Sequence, residues 1–512
     1  MNNIVIVGGG TSGWLTALYL NSIYKTDAQI TLIESEDIGI LGAGEGSVPV
    51  LYGFLESLGI DIVDFIIKTN ATHKIGVNFV NWNGDGKQYF HSFGSSYEKD
   101  DYLINDTTGE FIVSEYLGYL YKKGSSLNDS LISNKLALDG ASPFIITDDK
   151  KIDSHSRFSY HFDARLVANY FREICEKRGV VRIEGKVIEF ERNSFNHINK
   201  IILSDGTKVN ADFVFDCSGF SRLVIGKLYN TPWKSYHNQL RVNRAITFNI
   251  PVDSVKIGSY TNAIAMKYGW MWQIPLQTRI GCGYNFDKTY ITDEEALNEI
   301  HEYFGFKPTI NQIISYTAGR YENAWVGNCI AVGLSLGFTE PIEATSIFHI
   351  IAQLTVTTRD ILDKHTSSSL FTQSKIANQY NSIMASAQDN TLIFLYFHYF
   401  TKRVDTPFWK EYLSKTTIPN SLSHFLNKWK TDPIQLDDFS KDVQGFKYHN
   451  WLAVADGLDY FNKDIYIKAY EQYVSKNQIY NHDLKLSNSY FTYKKKIITD
   501  NEFIKQIKKN PK

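Results

Sequence analysis

The sequence predicts an α/β protein: a Rossmann-type module with mixed sheets, packed against a C-terminal helical module. Three observations carry this. The first 24 residues read as a short β-branched strand, a glycine turn and a helix. Strand-like runs bounded by Gly, Asn and Asp turns continue to about residue 350. Beyond residue 345, as in "SIFHIIAQLTVTTRDIL", apolar residues recur at three- and four-residue steps while Pro and Gly thin out. We expect residues 1–350 to form the α/β module and 351–512 the mainly helical one. No linker or internal repeat separates them, so a continuous interface is expected, compatible with one structural domain.

The opening "NIVIVGGGTSGWLTALYLNSIY" places Gly8, Gly10 and Gly13 in a G-x-G-x-x-G pattern, with apolar helix positions at Trp14, Leu15, Leu18 and Ile23. Glycines permit the tight turn and let the backbone approach a pyrophosphate, which rests on the free N–H groups of the helix start. A second strand, "AQITLIESE", ends in Glu34, which follows Gly13 by 21 residues, where a carboxylate can accept from a ribose hydroxyl. These features together predict a dinucleotide site. The chain then enters a second glycine-rich strip, "LGAGEGSVPVL" (Leu41 to Leu51, with Glu45), rather than a regular βαβαβ repeat. With the fingerprint at the extreme N-terminus, this favours FAD over NAD and a fold like that of FAD-binding monooxygenases.

Further along, "HFDARLVANYFREICEKRGV" predicts a helix capped by Asp163, followed by one strand, "VVRIEGKVIEFER". "KIILSDGTKVNADFVFDCSGF" predicts a hairpin turning at Asp205-Gly206, then a strand ending at Gly219. A β-rich span runs from about 243 to 287 and contains "GWMWQIP" (Gly269 to Pro275), in which Trp270 and Trp272 fall on one face of a strand. "NAWVGNCIAVGLSLGF" reads as a buried strand running into a loop, and Pro341 and Glu343 sit where a helix starts. The first-turn amides there, at Thr345, Ser346 and Ile347, lack intrahelical acceptors and form a ready anion site. Lys74 opens the β-like run "KIGVNFVNW", so its ammonium is expected to face a partly dry cavity, where desolvation would lower a lysine pKa.

Composition narrows the function. The chain of 512 residues is 43% hydrophobic and 21% charged, an ordinary globular balance, and its net charge of −2 argues against a nucleic-acid partner. The one basic run, "YKKKIITDNEFIKQIKKNPK", reads as a solvated terminal helix. Four dispersed cysteines without a C-x-x-C pair fit a reducing compartment and give no metal site. "NIVIVGGG" has no basic leader, and no stretch approaches the roughly 18 apolar residues of a membrane span. The expectation is a soluble, cytoplasmic protein without a membrane partner.

Three stretches together resemble the flavin-dependent halogenases of the tryptophan-halogenase type. "GWMWQIP" is similar to that family's G-W-x-W-x-I-P signature, Lys74 in "ATHKIGVNFVNW" falls on its catalytic lysine, and Glu343 in "GLSLGFTEPIEATSIF" falls on its catalytic glutamate. "QYFHSFG", "YHFDARL", "DCSGF" and "HYFTKRVDTPFW" extend the resemblance over roughly residues 3 to 460. It implies that reduced FAD from a separate flavin reductase, with O₂, oxidises a halide to hypohalous acid, which halogenates an electron-rich aromatic held apart from the flavin. It further implies FAD contacts at Gly8, Gly9, Gly10, Ser12, Gly13, Glu34, Ser35, Glu45, Leu334 and Ile347, and halide on the amides of Thr345 and Ser346. Trp270 and Trp272 would wall the flavin from the substrate, and His91, Phe93 and Trp451 would line the substrate pocket. An oligomer is compatible with this reading.

Two departures qualify what the resemblance implies. The family's E-S-T-G reads Glu343-Ala344-Thr345-Ser346 here, so a looser halide preference admitting bromide or iodide is expected. The family's Phe-Trp clamp for free tryptophan is replaced by "LDDFSKDVQGFKYHNW", with Phe446, Tyr448 and Trp451, so an aromatic pocket is implied without support for free tryptophan. The alternatives are a flavin-dependent aromatic hydroxylase, which shares the fold and fingerprint, and a non-catalytic flavoprotein. Halide dependence and turnover separate them.

Overall fold

The computed structural model describes residues 1–36, 44–94, 113–146, 152–154, 156–435, 438, 445–475 and 497–509. Residues 41–43 of the second glycine strip lie outside this set. The chain forms two compact units, each assembled from three separate stretches. The first comprises Met1–Ala71, Phe162–His237 and Thr317–Asp389; the second comprises Thr72–His161, Asn238–Tyr316 and Asn390–Lys512. The expected boundary at 350 therefore falls inside the first unit, within helix Ser346–Val356. Strand pairing between distant segments, invisible to a pass along the chain, decides the division.

In the first unit, Val181–Glu184, Gln29–Glu34, Asn3–Val7, Phe213–Asp216 and Cys329–Ala331 are successive parallel strands, with antiparallel Trp325–Val326 at the edge. Ile4, Val5, Ile6 and Val7 are all buried, as expected of a parallel strand covered on both faces. Helix Thr11–Tyr24 follows the first strand, and helix Ala164–Lys177 starts at Asp163, whose Oδ1 accepts from the amides of Arg165 (3.0 Å) and Leu166 (3.2 Å).

Several predicted elements are broken into two. "VVRIEGKVIEFER" forms strands Val181–Glu184 and Val187–Arg192 in different sheets, with Gly185, whose amide donates to Glu34 O (2.8 Å), at the break between them. The run 323–338 opens with a short hairpin, with Gly327 at φ 58° between Trp325–Val326 and Cys329–Ala331. "SIFHIIAQLTVTTRDIL" spans two helices, Ser346–Val356 and Arg359–Ser367, since Thr358 caps the second through Oγ1. The strand predicted to end at Gly219 ends at Asp216, whose buried carboxylate accepts from four groups of the following turn, including the amides of Val224 (2.9 Å) and Ile225 (3.0 Å).

The second unit is built on a seven-stranded sheet in the order Thr309–Ser315, Arg244–Ile250, Ile280–Phe286, Gly269–Pro275, Thr261–Met266, Gly76–Val80, Gln88–Ser92. One face carries Ile246, Phe248, Ile264, Met271 and Tyr284, packed with Ala296 and Ile300 of helix Asp293–Phe304. The opposite face carries Trp270 and Trp272, with Ala265 and Ala263 beside them on one neighbour strand and Asn285 and Gly283 on the other. Among the described residues, no helix is long and apolar enough to cross a membrane. The basic C-terminal run forms helix Asp500–Lys509, but it is not simply solvated: Phe503 and Ile504 are buried.

Candidate active site

In the first unit, the glycine loop has the geometry its sequence predicts. Gly8 adopts φ 114° and donates its amide to Ile33 O (2.8 Å). A Cβ at Gly13 would lie 1.8 Å from Gly8 O, and one at Gly9 would lie 1.5 Å from Glu34 Oε2, whereas nothing lies within 4 Å of a Cβ at Gly10. The strand, the loop and the carboxylate are thus in contact, and the open side of the loop is at Gly10. No acidic residue and no side-chain cap occupies the first turn of helix Thr11–Tyr24, so its leading amides are available to an anion. This cradle fits a dinucleotide pyrophosphate. Glu34 is oriented by Trp14 Nε1 (3.2 Å) and by Arg182, on the adjacent strand. Ser35 follows directly on this strand.

Leu334 lies in the turn Gly333–Ser335, where Gly333 (φ 69°) approaches Ser12: a Cβ there would be 3.0 Å from Ser12 Cβ. The turn is tied to helix Ser346–Val356 by Gly333 N donating to Gln353 Oε1 (2.9 Å). Glu45 forms strand Glu45–Gly46, and burial, with a smaller push from the Asp163 charge, raises its carboxyl to about 7.

The segment 341–347 also belongs to the first unit. Glu343 and Thr345 are buried, and Ile347 is buried in the first helical turn. The first intrahelical bond is His349 N to Thr345 O (3.0 Å), which leaves the amides before it to other acceptors. The left-handed conformation in this turn falls on Ala344 (φ 56°) and not on Ser346, which opens the helix. The backbone thus tolerates serine at 346, and this turn differs from E-S-T-G in the side chains at 344 and 346.

In the second unit, Lys74 ends strand Thr72–Lys74 and is 0% exposed. Its Nζ lies 5.3 Å from the Phe93 ring centroid, and Phe93 N donates to Ile75 O (2.9 Å), so the hairpin of Gly76–Val80 and Gln88–Ser92 places this aromatic beside the lysine. The strand pairs antiparallel with Ser159–Phe162, Thr72 opposite His161. Thr72 Oγ1 donates to Pro275 O (2.6 Å) and stands 3.2 Å from His161 Nδ1, while His161 Nε2 stands 2.9 Å from Thr261 Oγ1. Burial, then the charges of Lys74 and His73, hold His161 well below its ordinary pKa, and therefore neutral.

Trp270 and Trp272 do share a face, with ring centroids 6.0 Å apart. Trp272 lies flat over Gly283, where a Cβ would fall 2.0 Å from its Cζ2. On the same sheet, His91 is buried and its Nε2 meets Asn450 Nδ2 at 2.9 Å, which makes Nε2 the acceptor. Phe446 and Phe394 stack at 4.0 Å, each ring within 6.5 Å of His91, and Trp451 packs edge-on against Phe394 (5.1 Å). His91, Phe446 and Trp451 therefore form one aromatic cluster, and Phe93 stands at Lys74. Neighbouring His449 is pulled down to about 3, chiefly by burial and then by the charges of His91, Arg157 and Lys447.

Thr72, His161, Asn450 and Phe394 join these sites without a motif of their own. Only the position of His161 in "YHFDARL" and of Asn450 beside Trp451 hinted at them.

The tryptophan halogenase family model matches residues 3–470. Tryptophan 7-halogenase RebH of Lentzea aerocolonigenes is 32% identical over 434 residues, 80% of this chain and 78% of that protein. Tryptophan 6-halogenase SttH of Streptomyces toxytricini is 31% identical over 470 residues, 88% of this chain and 87% of that protein. The SttH crystal structure superimposes with a TM-score of 0.83 at 26% identity, covering 98% of this chain and 99% of that one. A flavin-dependent halogenase from Xanthomonas campestris does so with a TM-score of 0.82 at 26% identity, covering 99% and 98%. The chain belongs to the tryptophan halogenase family and is an enzyme of the flavin-dependent halogenase type.

Proposed function

We infer that this enzyme uses FADH₂, O₂ and halide to place an electrophilic halogen on an electron-rich aromatic ring of the phenol, aniline or indole type. The observation that carries this reading is Lys74, a fully buried lysine on a strand pinned by Thr72 and faced by Phe93. Bound reduced FAD, replenished by a separate flavin reductase, would supply with O₂ the oxidising equivalents that turn halide into hypohalous acid. Gly8, Gly9, Gly10, Ser12, Gly13, Glu34, Ser35, Glu45, Leu334 and Ile347 would hold it, and the amides of Thr345 and Ser346 would hold the halide.

Lys74 then either donates a hydrogen bond to hypohalous acid or carries the halogen as a haloamine. In both cases the ring carbon gains halogen and loses a proton, and hydroxide leaves as water. Glu343 stabilises the cationic ring and accepts that proton. Trp270 and Trp272 exclude water and substrate from the flavin side. RebH and SttH are tryptophan halogenases by name; the Phe394–Phe446 stack beside His91 supports an aromatic ligand here without specifying free tryptophan. A cytoplasmic location, where reduced flavin is replenished, fits this reading.

The test is mass spectrometry of reactions containing a flavin reductase, NADH, FAD, O₂, small phenols, anilines and indoles, and chloride, bromide or iodide. A halogen mass shift lost in Lys74→Ala supports the reading. An oxygen mass shift independent of halide would assign a hydroxylase instead.

A further inference from the structure

The family match ends at residue 470, yet the chain continues with strand Ile497–Thr499 and helix Asp500–Lys509. The strand pairs antiparallel with Ala141–Ile146, and the helix opens on reciprocal bonds: Thr499 N donates to Glu502 Oε2 (2.8 Å) and Glu502 N donates to Thr499 Oγ1 (3.3 Å). Asp500, in the first turn, is placed where the helix dipole favours a carboxylate.

That carboxylate is committed to His73. Asp500 Oδ2 accepts from the backbone N–H of His73 at 3.0 Å, and Oδ1 bonds His73 Nδ1 at 2.5 Å. The imidazole is 0% exposed and ringed by Phe144 (5.0 Å), Phe503 (5.2 Å), Phe158 (5.5 Å) and Tyr160 (5.6 Å). Among the described residues its Nε2 is buried without a hydrogen-bond partner. An apolar ring would fill this cage without burying a charge, and Phe503 stacked on Phe144 (4.7 Å) already anchors the helix. A buried pair of this kind is weak evidence of stabilisation.

What distinguishes His73 is its place in the chain, next to Lys74 and on the opposite face of the same strand. The strand is held from both sides: Thr72 bonds Pro275 on the Lys74 face, and His73 bonds Asp500 on the other. We propose that Asp500 is a positioning residue for Lys74, fixing the main chain and ring of His73 and so the direction in which the Lys74 ammonium is presented. The proposal rests on the role inferred for Lys74 above.

Asp500→Asn in the full-length chain tests it, by steady-state halogenation and by amide hydrogen exchange of the 72–74 peptide. Because small misplacements of a reacting group are costly, kcat should fall about ten- to a hundredfold, with KM for the aromatic unchanged. Exchange at the His73 amide should accelerate. His73→Phe, which keeps the cage filled, should reproduce the kcat loss with the fold retained. The proposal is overturned if Asp500→Asn keeps wild-type kcat, or if kcat falls while exchange at His73 is unchanged. Lys74→Ala, run in parallel, separates the two readings. If it still halogenates, the role of Lys74 is wrong; if it is inactive while Asp500→Asn is unaffected, only the positioning role is wrong.

Discussion

Thr72 and Pro275, 203 residues apart, are joined by a 2.6 Å hydrogen bond from the threonine hydroxyl to the proline carbonyl. The bond ties the strand that ends in Lys74 to the last residue of the strand that carries Trp270 and Trp272. With its proton committed to Pro275, Thr72 Oγ1 accepts from His161 Nδ1–H, which leaves His161 Nε2 to accept from Thr261. Thr72→Val should strand both Pro275 O and His161 Nδ1–H, at a cost of about 1–3 kcal/mol each. A lowered denaturation midpoint that Thr72→Ser restores would check this.

Glu343 is buried three residues before helix Ser346–Val356 in the first unit. Given the proton-acceptor role proposed above, its loss should be felt in catalysis rather than in cofactor retention. Glu343→Gln is expected to lower the halogenation rate about 10²- to 10⁴-fold while the purified protein keeps its flavin absorbance. Loss of bound flavin in the same variant would point to a structural role.

The glycine loop yields a steric prediction. A Cβ at position 13 would meet the Gly8 carbonyl at 1.8 Å, and the main chain there cannot give way without opening the loop. Gly13→Ala should weaken FAD binding by about ten- to a hundredfold, the equivalent of about 1–3 kcal/mol of overpacking. Gly10→Ala meets no protein atom, so it probes the ligand side alone. Equilibrium dialysis of FAD against both variants measures the difference.

Glu45 gives a pH dependence with a definite sign. Burial raises its carboxyl from the ordinary 4.5 to about 7, so in that window the folded protein holds a proton that the unfolded chain has released. Its contribution to stability is therefore present below pH 4.5 and is lost as pH rises toward 7. Glu45→Gln removes the titration. Its melting temperature relative to wild type should climb between pH 4.5 and 7 and level off above; a flat difference would contradict the raised carboxyl.

At the proposed halide position, Ser346 occupies ordinary helical backbone while Ala344 takes the left-handed conformation. The side chain of Ser346, and not backbone strain, is then what differs from the family's glycine. Ser346→Gly should raise the ratio of chlorinated to brominated product in competition, measured by mass spectrometry with both halides present. An unchanged ratio would remove this residue from halide selection.

The sequence by itself determined whatever depends on near neighbours. The β-branched run and Gly8 to Gly13 dictate the strand, turn and helix, because φ near 114° at Gly8 and close approach at Gly13 admit only glycine. The two-residue period puts Trp270 and Trp272 on one face, and Asp163 marks a helix start at Ala164, whereas the helix expected at Pro341 and Glu343 begins only at Ser346, after left-handed Ala344. Tertiary structure alone decided where such runs break and what they meet. The break at Gly185 divides one predicted strand between two sheets, and Gly283 is glycine because Trp272 lies on it. The hairpin 76–92 joins a sheet whose other strands begin beyond residue 243, and Asp500 reaches His73 across 427 residues. Periodicity and backbone preference are written within a few residues of each position. Pairing partners are chosen by the fold as a whole, through burial and hydrogen bonds between segments that no local pattern relates.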